Sequence, residues 1–505
     1  MPSLIMVSDP DIVIVGSGMG GATLAYALRD SGAQILVLER GDFLPSEPEN
    51  WDATAVFRGR RYQTDDRWYT GAGKPFAPET HYVVGGNTKV YGATLPRFRA
   101  SDFETTDHAE GVSPGWPISY GVLAPFYAEA ERLYGVHGSR DEDPTDPDRT
   151  DPFPEEAIDH EPAIQELAER LTDQGLRPYH LPLGVDAGRG GGCILCRTCD
   201  GFPCKLRAKH DAETASLRRA MERPNVSLRV RTQALQLITD ATGKRVEALT
   251  VSKEGTIEQV RAGTFVLACG AVNSAALLLR SANDRHPHGL ANASDQVGRN
   301  YMAHVNTVMM SLNVRRANPT TFQKTLGVND FYLGDDGFPH PMGNLQLLGK
   351  LLPEMITRET RYVPQRLVRW LTDHSVDWWI MSEDLPVPEN RVTLDSDERI
   401  TVSWSPRGLR SHRELVARAK RMMRRAGYRV NITRRMGIAT VAHQCGTVRF
   451  GTDPTSSVLD PYCRSHDVEN LYVVDASFFP SSSAMNPALT VAAQALRVGA
   501  HMEAP

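Results

Sequence analysis

Two groups of residues have types and spacings that can do chemistry. Gly16-Ser17-Gly18-Met19-Gly20-Gly21 fits G-x-G-x-x-G. In that pattern Gly16 permits a tight turn, Gly18 lets a pyrophosphate approach the backbone, and Gly21 lets a helix pack closely on a strand. The free amides of the following helix would face the phosphates. Glu39, ~20 residues on, is placed for ribose hydroxyls, and an acidic group there argues against a 2′-phosphate. This pattern predicts dinucleotide binding without separating FAD from NAD. The second group is Cys193, Cys196, Cys199 and Cys204, spaced C-x2-C-x2-C-x4-C. The bacterial ferredoxin run is C-x2-C-x2-C-x3-C-P. Here there is one more residue, and Pro203 precedes the last cysteine. We read these as unligated thiols in a tight loop and assign no metal, with an iron–sulfur cluster or structural zinc as alternatives. Cys269, Cys445 and Cys463 read as small buried residues.

The elements that would position these groups follow from periodicity. DIVIVG (11–16) is a short β-branched run suited to a buried parallel strand. ATLAYALRDSG has a helical pattern closed by Gly32, and QILVL (34–38) is a second strand. Together they make a βαβ unit of about 30 residues, the start of a doubly wound sheet. A helix-like stretch ends near 136, the acidic and Pro-rich 138–155 reads as a surface loop, and 161–174 reads as a helix. Strand patterns recur at 226–237, 246–252 and 263–268, the last leading into a small-residue helix at 271–282. Alternating stretches within 301–405 predict an antiparallel sheet with one face exposed. Residues 411–427 form an amphipathic helix with Leu415, Val416, Ala419, Met422, Met423 and Ala426 on one face. Its arginine-rich side reads as a solvated face.

Composition bounds the partners. The chain has 505 residues, 56 Lys plus Arg and 61 Asp plus Glu, for a formal charge of −5. At roughly 150 residues per domain it holds two to four units. Near-neutrality gives no reason to expect nucleic acid or an anionic membrane as partner. No basic n-region precedes the first strand, and no stretch approaches the ~20 apolar residues that span a bilayer. Seven cysteines, an odd number, do not make a secreted disulfide framework. The expectation is a soluble cytoplasmic protein.

Larger blocks carry a specific resemblance. These are GGNTKVYGA (85–93), GWPISYGVLAPFYAEAE (115–131), TFVLACGAVNSAALLLRS (264–281), VGRNYMAH (297–304) and NLYVVDASFFPSSSAMNPALTVAAQALRVG (470–499). With the N-terminal fingerprint, they resemble the glucose–methanol–choline (GMC) oxidoreductases, FAD-dependent oxidases and dehydrogenases of alcohols and sugars. CDGFPCKLRAKHDAETASL (199–217), FQKTLGVNDFYL (322–333) and SEDLPVPENRV (382–392) are similar to the pyranose oxidase-like bacterial glycoside 3-oxidases. The resemblance implies an α/β fold: a doubly wound, Rossmann-like FAD domain from 1–100, 200–310 and 440–505. It would be interleaved with an α+β substrate domain, mostly antiparallel in its sheet, from 101–199 and 311–439. Some fungal pyranose oxidases bond the flavin to a histidine in the loop after the paired glycines. Val90 stands at that position and has no nucleophile, so FAD is expected to be non-covalent.

The resemblance also implies the site. Gly86 and Asn87 would lie beside the isoalloxazine, Asp475 would suit a polyol chain or ribityl hydroxyl, and the helix opened by SSSAMNPALT, which holds Asn486 and Pro487, would face the flavin's pyrimidine edge. Alcohol oxidation removes a proton from oxygen and a hydride from carbon. The flavin takes the hydride, and a base must take the proton. The family's base lies in an H-x-x-G-T block and its partner in an N-P-x-L-T block, here His443 and Asn486. His304 reads as structural, and Lys89 and Gln444 as site neighbours. Gln323, Asn329 and Gln346, with Lys324, Asp330 and Asn344, could recognise hydroxyls. The expected reaction is oxidation of a secondary hydroxyl, at C3, of a pyranose or glycoside. Electrons would pass to O2 or a quinone-like acceptor. The alternatives are a dehydrogenase with a partner subunit or iron–sulfur relay, or a non-catalytic FAD-binding module.

Overall fold

The computed structural model describes residues 9–188, 190–357 and 359–503. A parallel sheet of five strands runs in the spatial order Val226–Arg229, Ile35–Leu38, Ile12–Val15, Thr264–Leu267, Leu471–Val473. Its two central strands, IVIV and ILVL, are buried throughout, as continuous β-branched and leucine runs require when helices cover both faces. The helices Met19–Ala27 and Ala488–Glu503 pack on one another against this sheet. The first helix ends earlier than its pattern suggests. Ser31 Oγ donates to the Leu28 carbonyl at 2.7 Å and closes the last turn, and Gly32 instead turns the chain back toward Ile35.

The stretch 226–237, read as one strand, is divided. Val226–Arg229 is the edge of the parallel sheet, whereas Thr232–Thr239 begins a separate antiparallel meander with Val246–Lys253 and Thr256–Arg261. Arg231, in the left-handed region, makes the break.

The second layer is a six-stranded sheet in the order Val430–Arg435, Val305–Leu312, Ser375–Ser382, Asn344–Leu347, Leu326–Val328, Pro178–His180. Met309 pairs with Trp378 and Ile380 with Leu345. That face packs on the helices Leu409–Arg425 and Pro162–Thr172 through Leu415, Ala419, Met422, Ile164 and Leu167. The other face is exposed only at the edge strand Val430–Arg435; in the central strands it is largely covered, contrary to the expectation of one exposed face. Val305–Leu312 is buried except at Val308, Ser375–Ser382 except at Trp379, and Asn344–Leu347 throughout. It is a polar face turned inward. Among the described residues no helix is long and apolar enough to cross a membrane.

Candidate active site

The glycine turn sits at the carboxyl end of Ile12–Val15, where doubly wound sheets bind ligands. Helix Met19–Ala27 can start there because positions 20 and 21 have no side chain; a β-carbon at Gly20 would stand 2.0 Å from the Val474 carbonyl oxygen. A β-carbon at Gly21 would stand 2.0 Å from the Gly16 carbonyl oxygen. A β-carbon on Gly18 would meet nothing within 4 Å, so the turn leaves an open cradle. Gly86 closes one side of it, its own β-carbon position being 3.3 Å from the Gly18 Cα. Glu39 is buried at the end of the second strand and accepts from Ser17 N at 3.2 Å, Ser17 Oγ at 2.6 Å and Gly41 N at 2.9 Å. Burial lifts its carboxyl above the usual range, while these donors hold part of the rise back. The open cradle, the amides at the helix start and the buried carboxylate fit a dinucleotide.

The remaining expected cofactor residues are placed as follows. Asn87 accepts from His81 N at 2.9 Å and donates to the Glu79 carbonyl at 3.3 Å, so its amide fastens the loop that carries Gly86. Lys89 anchors the same loop from beneath, between Asp211 at 2.9 Å and Glu213 at 2.7 Å. Asp475 is buried and accepts from Gly270 N, Ser274 Oγ and Ser477 N at 2.9, 2.5 and 2.9 Å. Burial raises its carboxyl as well. The carbonyl of Pro487 accepts from Val491 N at 3.1 Å at the start of the C-terminal helix. Val90 receives Gly201 N on its carbonyl at 2.9 Å.

His443 is positioned by a short antiparallel pairing, Met302 with Cys445 and Ala303 with Gln444. The next pair along is His304 and His443, whose Nδ1 atoms are 3.0 Å apart with the rings at 85°. Burial and then the neighbouring His304 push His443 down to about 3, so it stays unprotonated near neutrality. The other nitrogen of His304 lies 2.9 Å from the Ser482 carbonyl, in the segment leading to Asn486. That segment is stapled: Ser483, at φ 56°, donates to Asp102 at 2.9 Å, and the Tyr332 hydroxyl accepts from Ala484 N at 3.3 Å. Asn486 Oδ1 is buried with no partner among the described residues.

Beyond His304, whose chain runs on into the strand Val305–Leu312, this sheet face presents two rows. Asn306, Met381 and Asn344 share one, and Val308, Trp379 and Gln346 the next. Asn306 Nδ2 and Oδ1, Asn344 Oδ1 and Trp379 Nε1 are buried without partners among the described residues. The expected recognition groups Gln323 and Asn329 are instead committed inside the protein. Gln323 donates to Asp377 at 3.1 Å, and Asn329 bonds Asp143, Tyr179 and Asn344. Asn306 and Trp379 were missed. The polar residue in the apolar run VNTVMMSL was the available sign, but it does not say which face is covered. All seven cysteines stand as free thiols, and burial lifts Cys193 to about 11. Among the described residues no group of three or more His, Cys, Asp or Glu is placed to hold a metal ion.

A glycine turn fit for a nucleotide at the carboxyl edge of a doubly wound sheet, joined to a second, antiparallel sheet, defines a two-layer protein of the dinucleotide-binding class. Comparison with known proteins names it more closely. The GMC oxidoreductase family model matches residues 82–306 and 386–495, and an NAD(P)-binding Rossmann-like domain model matches 14–64. Paromamine 6'-oxidase of Streptomyces fradiae is 32% identical, covering 96% of this chain and 90% of its own. 6'''-Hydroxyparomomycin C oxidase of Streptomyces lividus is 31% identical with the same coverage. The solved structure of pyridoxine 4-oxidase from Mesorbium loti superposes with a TM-score of 0.68 at 20% identity, over 98% of this chain and 99% of that one. The chain belongs to the GMC oxidoreductases, a flavin-dependent family of oxidases and dehydrogenases.

Proposed function

We propose that this protein is an FAD-dependent oxidoreductase that converts a hydroxyl of a pyranose sugar or glycoside to a carbonyl. The observation that carries the reading is the set of unpartnered buried polar atoms at Asn306, Asn344, Trp379 and Asn486. A buried donor or acceptor without a partner costs roughly 1–3 kcal/mol. Several gathered on one inward face make sense where a ligand brings several hydroxyls, as a sugar does.

His443 takes the hydroxyl proton on Nε2 as the C–H bond breaks. Asn486 hydrogen-bonds the same oxygen and sets the direction of that C–H bond. The Gly18 cradle, Glu39 and the loop of Gly86 and Asn87 would hold the cofactor, with Asp475 and Pro487 as further contacts. A bound flavin would supply the two-electron acceptor for the hydride. Val90 offers no atom to bond it, so the cofactor is held non-covalently, and denaturation should release it from the polypeptide. Gln346 and Asn344, both expected to recognise hydroxyls, lie on the same side of the sheet as Asn306. The final electron acceptor would be O2 or a quinone-like molecule.

The position oxidised is C3 by resemblance to glycoside 3-oxidases. A second reading, oxidation at the 6′ carbon, is favoured by the names of the two relatives at 31% and 32% identity. The test is anaerobic bleaching of the flavin by a panel of glycosides, identification of the product by NMR, and reoxidation with O2 or a quinone. A 3-keto product supports the first reading and a 6-aldehyde the second. Failure of every sugar and alcohol to bleach the flavin would overturn the enzyme assignment.

A further inference from the structure

We propose that His304 is a positioning residue for the reaction: it fixes His443 in the one tautomer that leaves Nε2 bare to take the substrate proton. This rests on the reading of His443 as the base. A carbonyl oxygen can only accept, so the 2.9 Å contact to Ser482 requires a proton on His304 Nε2. His304 is buried, and burial disfavours its imidazolium form, so the ring is neutral with its single proton already assigned. Its Nδ1 is therefore an acceptor. Two ring nitrogens 3.0 Å apart need one hydrogen between them, and it must come from His443 Nδ1. A neutral His443 with its proton on Nδ1 has none on Nε2.

The chain of constraints thus runs from a main-chain carbonyl through two imidazoles to a lone pair. The Nδ1–H···Nδ1 bond survives when His443 takes a proton, since only the second nitrogen changes. The substrate O–H bond breaks, the His443 Nε2–H bond forms, and the imidazolium is held by a neutral acceptor. Glu383 is near enough for its charge to favour the His304 imidazolium, and it is itself paired with His108 at 3.1 Å and Ser113 at 2.6 Å; the Asp384 carboxylate accepts from the adjacent Ala303 N at 3.2 Å. The backbone makes this arrangement robust. His304 and His443 directly follow and precede the paired Met302–Ala303 and Gln444–Cys445, which holds their two backbones side by side.

Two substitutions separate positioning from bulk. His304→Gln keeps an acceptor for His443 and a donor for Ser482, whereas His304→Leu keeps the volume and loses both. In the holoenzyme, selectively 15N-labelled histidine reports the tautomer by NMR, with the His443→Gln spectrum identifying the signal. The expected result is a His443 ring protonated at Nδ1 and bare at Nε2. That preference should be lost in His304→Leu and kept in His304→Gln. Flavin reduction by substrate should fall about 100-fold or more in His304→Leu, with flavin content and KM little changed, and recover to within about tenfold in His304→Gln. A wild-type His443 protonated at Nε2, or a His304→Gln as slow as His304→Leu, overturns the proposal. The tautomer is read without turnover. A His443→Ala enzyme that still reduces its flavin at the wild-type rate would remove the base assignment, while the NMR result would still decide the pairing.

Discussion

Ser17 Oγ donates to Glu39 Oε2 at 2.6 Å. The same hydroxyl accepts from Gly85 N at 3.2 Å. One side chain thus joins the glycine turn, the end of the second strand and the loop that closes the cradle. Ser17→Ala removes a hydrogen bond to a charged group, worth about 1.5–3 kcal/mol. Release of FAD, followed by its fluorescence on dilution, should show a Kd raised roughly 10- to 150-fold. Unchanged retention would mean that Glu39 does not need this bond to hold the nucleotide.

Gly18 and Gly21 make opposite predictions although both belong to the fingerprint. A β-carbon on Gly18 meets no protein atom within 4 Å, so Gly18→Ala should leave the cofactor-free protein's stability within about 0.5 kcal/mol. It should nevertheless abolish tight FAD binding, because the methyl occupies the cradle. Gly21→Ala would place its methyl 2.0 Å from the Gly16 carbonyl oxygen, so it should destabilise the fold itself. Thermal melting with and without added FAD separates the two. A Gly18→Ala protein that binds FAD normally would locate the pyrophosphate elsewhere.

His443→Ala should slow flavin reduction by sugar about 10²- to 10⁴-fold, the range of a lost general base. Flavin content should not change, because the side-chain hydrogen bond of His443 goes to His304 and not to the glycine turn. Stopped-flow reduction under nitrogen measures this directly. A rate near that of wild type would leave the proton to another group.

Asn306 tests substrate recognition through stability. Both polar atoms of its amide are buried without a partner among the described residues. Asn306→Leu should therefore stabilise the sugar-free enzyme by about 1 kcal/mol, while raising KM for the sugar at least tenfold. Urea unfolding and steady-state kinetics give the two quantities. A variant that is less stable yet binds sugar normally would make Asn306 a structural residue.

How much of this was legible in the sequence depends on how local the cause is. The glycine turn and its flanking strands are set by neighbours along the chain, so IVIV and ILVL read as buried parallel strands and are so. The inward polar face was not legible. Alternation in VNTVMMSL and DWWIMS says that a strand has two faces, but only the tertiary fold decides that both are covered. Gln323 and Asn329 look like hydroxyl binders by type alone. Their amides are consumed by Asp377, Asp143 and Tyr179, partners far away in sequence. His304 looks structural for the same reason, since its link to His443 spans 139 positions.

Acid stability depends on a histidine outside the site. His412, on the helix Leu409–Arg425, is wedged between Thr307 at 2.7 Å and Ser382 at 2.9 Å. Ser382 Oγ donates to the Met342 carbonyl at 2.6 Å, so it accepts from His412 Nδ1, and Thr307 donates to Nε2. The ring is neutral, and burial, with the charge of Arg435 adding, pushes it down to about 3. In the unfolded chain it titrates near 6.5. Below that pH the unfolded state binds the extra proton and the folded state does not, so stability is lost as the pH falls from about 6.5 toward 3. At pH 5 the loss amounts to about 2 kcal/mol relative to pH 7.5, at ~1.36 kcal/mol per pH unit. His412→Gln lacks the titrating group. Asp102 and Asp384, raised by burial to about 6 and 7, act in the opposite sense but equally in both proteins. Urea midpoints at pH 7.5 and 5 should therefore show wild type losing about 2 kcal/mol more than His412→Gln on acidification. Equal losses would mean that the folded protein protonates His412 as readily as the unfolded chain does, and that the helix–sheet contact opens in acid before the molecule unfolds.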